Sequence, residues 1–239
     1  MALLYQNLKK VFIHTPRTGG TSFEWAVRKE VPGSQCAKFN LQNSKKHYTF
    51  EQLREISKPF HNNWRSWDVI TFTRNPWDMV LSWFLFYNSG SPQKSFERED
   101  FLEFISLCFI KGSTMGLFPH DSSNPEDNSL LSYFGDSLRN IKSFKFESYK
   151  GSFKAASRLF AGIPLHPENF AHTHKTVKSV EDKADQINSG MNLLGPKYWS
   201  NGGDYVLGES TYREFYTKQE RDLVYSYTAD YCDRFDYEF

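Results

Sequence analysis

The chain has 239 residues, 24% of them charged, with a formal net charge of +1, so no bulk electrostatic attraction to nucleic acid or an anionic membrane is available and any anion site must be local. That length is ample for one domain with a sizeable core, and a single domain over 1–239 is expected. Three widely spaced cysteines (Cys36, Cys108, Cys232), no signal region and no run near the ~20 apolar residues of a membrane span speak against a disulfide framework, a metal cluster and a membrane protein, and lead to the expectation of a soluble, cytoplasmic chain.

The first element in chain order is also the most informative. Val11 to Trp25 reads as a short buried strand, a glycine turn and the first turn of a helix that starts near Thr21. Adjacent Gly19 and Gly20 let consecutive backbone N–H groups converge on one oxyanion, with the positive end of the helix dipole behind them. Thr18, Thr21 and Ser22 add hydroxyl donors and Arg17 a fixed positive charge, so the expected ligand is a phosphate or a sulfate. The kinase spelling G-x-x-x-x-G-K-(S/T) is absent. An ordinary strand-to-helix turn with glycines for geometry alone is the plainer alternative.

The helix from Thr21 is expected to stop at Pro32-Gly33, and Ser34 to Phe39 reads as a short strand. Thr49-x-x-Gln52 is a capping-box spelling ahead of a helix through Leu53 and Ile56, which leaves His47 just before a helix start. A loop histidine in that position, like His61, is also explained as a plain surface residue. Asp68 to Thr73 is a β-branched strand run, and Asn75-Pro76 supplies an N-cap and a first-turn proline for a helix to about Asn88. That helix is apolar nearly all round, with Ser82 inside it. Arg74 falls at the C-terminal end of the strand, the edge where open α/β sheets bind ligands.

An amphipathic helix is expected over Ser95 to Ile110, a loop over Gly112 to Asn128, a strand over Ile141 to Phe146, and a helix over Ser152 to Phe160 closed by Gly162 and Pro164. His166 to Asp204 has the least periodicity and reads as a lid or acceptor-specificity region. Thr217-x-x-Glu220 is a second capping box, opening a last helix to about Cys232.

Two strand-loop-helix anion elements together resemble the PAPS-dependent sulfotransferases. In that family a loop of the type P-(K/R)-(S/T)-G-(G/T)-(T/S), matched by Pro16 to Ser22, wraps the 5′-phosphosulfate of 3′-phosphoadenosine 5′-phosphosulfate. A second element, R-(N/D)-P-x-(D/E)-x-x-x-S, is matched by Arg74 to Ser82, whose Arg and Ser grip the 3′-phosphate in the family. Tyr212 to Thr217 and Lys145-Phe-Glu147 also look like family landmarks, and the H-x-P-(K/R)-T-G-G-T-S spelling is similar to the carbohydrate-modifying, heparan/chondroitin-type branch.

The resemblance implies a P-loop-like three-layer α/β fold with a central, mainly parallel sheet flanked by helices. It implies transfer of a sulfuryl group from PAPS to an acceptor hydroxyl, on a carbohydrate by the branch resembled, leaving PAP and needing no metal. Cofactor-binding residues are then Arg17, Thr18, Gly19, Gly20, Thr21, Ser22, Arg74 and Ser82. Most members have lysine where this chain has Arg17, which can neutralise charge but not give up a proton, so its role is electrostatic. Members use a histidine or a glutamate as general base; His47 lies where the histidine users carry theirs, and Glu24 is the alternative. Two other classes stay open: a PAP-binding module without turnover, and a P-loop nucleotide kinase-like transferase.

Overall fold

The run Val11-Phe-Ile has β-branched and aromatic residues at strand spacing, and in the computed structural model it lies in the middle of a five-stranded sheet. The structure describes residues 3–5, 8–31, 35–36, 47–57, 66–88, 98–110, 117–119, 129–167, 212–213 and 215–239. The chain divides into two compact units, one formed by Met1–Arg74 with Leu117–Thr173, the other by Asn75–Gly116 with His174–Phe239.

The first unit holds the sheet. Its strands are β1 (Leu3–Tyr5), β2 (Lys10–Ile13), β3 (Gln35–Cys36), β4 (Asp68–Thr73) and β5 (Ile141–Lys145), in the spatial order β3-β1-β2-β4-β5. β2, β4 and β5 run parallel, with Ile13 opposite Thr71 and Thr73 opposite Lys145; β1 joins β2 and β3 antiparallel. The α/β class is as expected, and the sheet is parallel on one side only. Leu3–Tyr5 is the strand that makes the other side antiparallel. Three residues are too few for periodicity to mark as a strand.

Five of the six residues of β4 are buried, so both of its faces are covered. Helices α1 (Gly20–Glu30) and α5 (Tyr149–Ala161) share one core with the sheet, in which the Phe23 ring meets Phe12, Phe72 and Phe153 at 4.5, 5.2 and 5.4 Å between centroids. Deleting a ring from such a cluster typically costs about 3–5 kcal/mol. α5 ends where Gly162, at φ 79°, donates its N–H to Arg158 O, the left-handed cap expected of that glycine. Helix α2 (Phe50–Ser57) opens with the reciprocal capping box: Gln52 N–H donates to Thr49 Oγ1 and Thr49 N–H to Gln52 Oε1.

The second unit is helical: α3 (Pro76–Asn88), α4 (Arg98–Cys108) and α6 (Lys218–Phe235) pack on one another. Phe84 and Phe101 meet edge to face at 4.9 Å, and Phe101 meets Phe215 at 4.8 Å. The start of α3 is tied down from the C-terminal segment: Asn75 Nδ2 donates to Tyr212 Oη and Glu238 O, Trp77 Nε1 to Arg221 O, and Tyr216 Oη to Trp77 O. This gives the tyrosines of the Tyr212 to Thr217 landmark a mechanical task. The capping box of Thr217 and Glu220 is complete, and α6 runs one turn past its expected end. Cys108 and Cys232 are buried free thiols, and burial pushes Cys232 up to about 11.

Among the described residues no helix is long and apolar enough to cross a membrane. His61, the segment Ser89 to Gln93, and most of Gly112 to Asn128 and of His166 to Asp204 lie outside the described residues.

Candidate functional site

The residues between β2 and α1, His14 to Gly19, form a tight loop held by hydrogen bonds within it and to the elements around it. Thr15 Oγ1 donates to Phe72 O at 3.0 Å, and Thr18 Oγ1 donates to Thr15 O at 2.9 Å. Thr18 is fully buried, so its hydroxyl proton serves the shape of the loop and not an outside ligand. Two residues adopt left-handed backbone, Arg17 at φ 60° and Gly19 at φ 76°. A non-glycine residue there is uncommon and marks a loop held by its surroundings.

Both glycines are explained by close neighbours. A Cβ on Gly19 would stand 2.7 Å from Tyr149 Cε2 and 2.8 Å from Phe146 Cε2, and one on Gly20 would stand 2.3 Å from His14 Cδ2. The loop is therefore clamped between α5's first turn and the His14 ring. Tyr149 Oη donates to Gly19 O at 3.0 Å; burial pushes its phenol upward, and a hydrogen bond with Ser22 works against that shift. Thr21 and Ser22, in the first turn of α1, are half-buried. No side chain caps α1, and its first turn has no acid, which leaves the positive helix end unneutralised from within the helix.

Arg74 follows β4, the parallel neighbour of β2, and so leaves the sheet at the same end as this loop. It is buried; its Nη1 donates to Arg17 O at 2.8 Å, and its guanidinium lies 4.4 Å from the centre of the Phe146 ring. The arginine thus braces the first loop, a structural task that its place in the sequence did not disclose. Ser82 lies six residues into α3, half-buried, and belongs to the second unit.

His47 precedes α2, and its Nδ1 is 2.9 Å from His14 O. A carbonyl can only accept, so Nδ1 carries the proton and Nε2 of the neutral ring holds the lone pair. Burial, reinforced by the neighbouring His14, holds the His47 pKa well below its ordinary value, so the ring is neutral at pH 7. Glu24 is 3% exposed, with Oε1 2.8 Å from His14 Nδ1, and burial pushes its carboxyl up to about 7. The rings of His14 and His47 meet edge to face at 4.7 Å.

The fold thus gathers Arg17, Thr18, Gly19, Gly20, Thr21, Ser22, Arg74, Glu24 and His47 in one unit. His14, Phe146 and Tyr149 were not singled out from the sequence as site residues. His14 had a signal, a polar residue at the end of a buried strand; Phe146 read as the end of a strand and the middle of the Lys145-Phe-Glu147 landmark, and Tyr149 fell between that strand and the next expected helix. No family model matches the chain, and no curated protein matches it.

Proposed function

We propose that the chain is a sulfotransferase that uses PAPS as donor and a hydroxyl, on a carbohydrate by the resemblance, as acceptor. The observation that carries this reading is that Arg74, the first residue of the second motif, lies beside the first motif at one end of the sheet and donates to the Arg17 carbonyl. A neutral, tautomer-fixed histidine hydrogen-bonded to the same loop adds a base of the right kind.

The residues fit the donor in charge and in donor groups. The uncapped start of α1, with the N–H groups of Gly20 to Ser22, and the Arg17 cation suit the 5′-phosphosulfate. Arg74 and Ser82 are assigned the 3′-phosphate by the motif they share in sequence. PAPS supplies the sulfuryl group. His47 Nε2 takes the acceptor's hydroxyl proton as its oxygen bonds to sulfur, and Arg17 offsets the negative charge left on the departing phosphate oxygen. Arg17 gives up no proton in this scheme.

Calorimetric titration with PAP, with ADP and ATP beside it, each with and without magnesium, tests the reading. Preference for PAP without metal is expected. A preference for ATP with magnesium would turn the assignment to a kinase-like transferase, and PAP binding without sulfate transfer to any of a panel of glycans and small alcohols would leave a binding module.

A further inference from the structure

Glu24 lies too deep to be the group that meets an acceptor. It is 3% exposed and its Oε1 is already engaged with His14 Nδ1 at 2.8 Å. A carboxylate buried inside a helix of a core cluster is costly and needs a partner to be retained. What the partner does is the informative part. His14 closes β2 and makes three contacts at once: its Nδ1 meets Glu24, its ring covers Gly20 so closely that a Cβ there would stand 2.3 Å away, and its face or edge meets the His47 ring at 4.7 Å and 78°. Its carbonyl also receives the His47 Nδ1–H at 2.9 Å.

We propose that Glu24 is a positioning residue: by anchoring the His14 ring it holds the His14 backbone and the facing His47 ring in register, and thereby keeps His47 in the Nδ1–H tautomer with Nε2 as proton acceptor. The proposal rests on His47 being the base of the proposed transferase. It removes Glu24 from competition for that task and gives it work that the motif alone does not assign. The same anchor steadies Gly20, the first residue of α1, so one buried pair sets both the base and the helix start. Without the anchor the His14 ring can turn away, and the free energy that distinguishes the two His47 tautomers is no longer set by a fixed carbonyl.

The test reads the tautomer directly and needs no donor or acceptor. Long-range proton–nitrogen correlation spectra of the full chain at neutral pH, with His47 assigned by its loss in His47→Gln, report which ring nitrogen is protonated. The wild type is expected to show one His47 species with Nδ1 protonated. Glu24→Leu is expected to show a mixture of both tautomers, while Glu24→Gln, whose amide can still bond His14 Nδ1, is expected to keep the single species. If Glu24→Leu does not fold, His14→Phe removes the anchored nitrogen at similar size and is expected to give the same mixture. A single, unchanged His47 species in either folded variant overturns the proposal. In turnover, Glu24→Leu is expected to lower kcat by at least tenfold with the KM for PAPS within twofold, and Glu24→Gln to restore most of it. Failure of PAP to bind would sink the transferase reading while leaving the tautomer result standing, so the two are separable.

Discussion

The two strand-to-helix turns of this protein solve the same local problem in opposite ways. α1 begins at a glycine with no side-chain cap, after a loop braced from outside by Tyr149, Phe146 and Arg74 and at its own start by the His14 ring. α3 begins at Asn75, whose Oδ1 accepts from Trp77 N–H at 3.1 Å and whose Nδ2 is tied to Tyr212 and Glu238, with Asp78 in the first turn. One helix start is open, with no side-chain cap and no acid in its first turn; the other is closed by Asn75.

The strongest way to sharpen that contrast is at His47. His47→Ala should leave PAP affinity within about twofold and lower turnover by about 10² to 10⁴, because the donor loop is intact and only the proton acceptor is gone. Steady-state kinetics beside calorimetry would show it, and near-normal turnover would end the case for His47.

Next in size is a pH effect on the open side. The folded-state pKa of Glu24 is raised from 4.5 to about 7, so between those values the folded chain keeps a proton that the unfolded chain has lost. Its contribution to stability is fully present below pH 4.5 and is lost as pH rises through 7. His47, held below its ordinary value, acts the other way, losing its contribution as pH falls. Urea unfolding of wild type and Glu24→Gln across pH 4.5 to 7 isolates the first effect, since His47 is common to both. The wild type should fall relative to the variant by on the order of 3 kcal/mol. A difference that does not change with pH would mean that Glu24 is not the proton holder.

Arg74→Ala should weaken PAP binding by roughly 1.5–3 kcal/mol, with Ser82→Ala giving a smaller loss of about 1 kcal/mol. Because Arg74 also braces the Arg17 carbonyl, a thermal melt of the same variant is needed; lost stability with unchanged PAP affinity would leave only the bracing role. The smallest expected effect is on the closed side. Asn75→Ala should cost about 1 kcal/mol of stability, read by denaturant unfolding, by removing the cap of α3. A loss of PAP affinity as large as that from Arg74→Ala would break the contrast between an open and a closed helix start.

Local features were legible where their cause was local. Asp68–Thr73 is a strand because β-branched residues fill it; Asn75-Pro76 starts a helix because one side chain caps and the next lacks an N–H; Thr49-Gln52 and Thr217-Glu220 close on themselves within three residues. β1 and the turns at Leu130–Tyr133 and Gly135–Arg139 were missed because their segments are too short to carry a period.

From the sequence alone came the α/β class, the two anion-type motifs and the residues available for chemistry, because those depend on residue type and short spacing. Only the tertiary structure decided what each residue is used for. Thr18 turns its hydroxyl inward, Arg74 holds a carbonyl, Glu24 belongs to His14, and His47 is fixed in one tautomer. The reason is physical: a buried polar group goes to whichever partner the fold brings within hydrogen-bond reach, and for Arg74 and Tyr149 that partner lies in a loop 57 and 130 residues away along the chain.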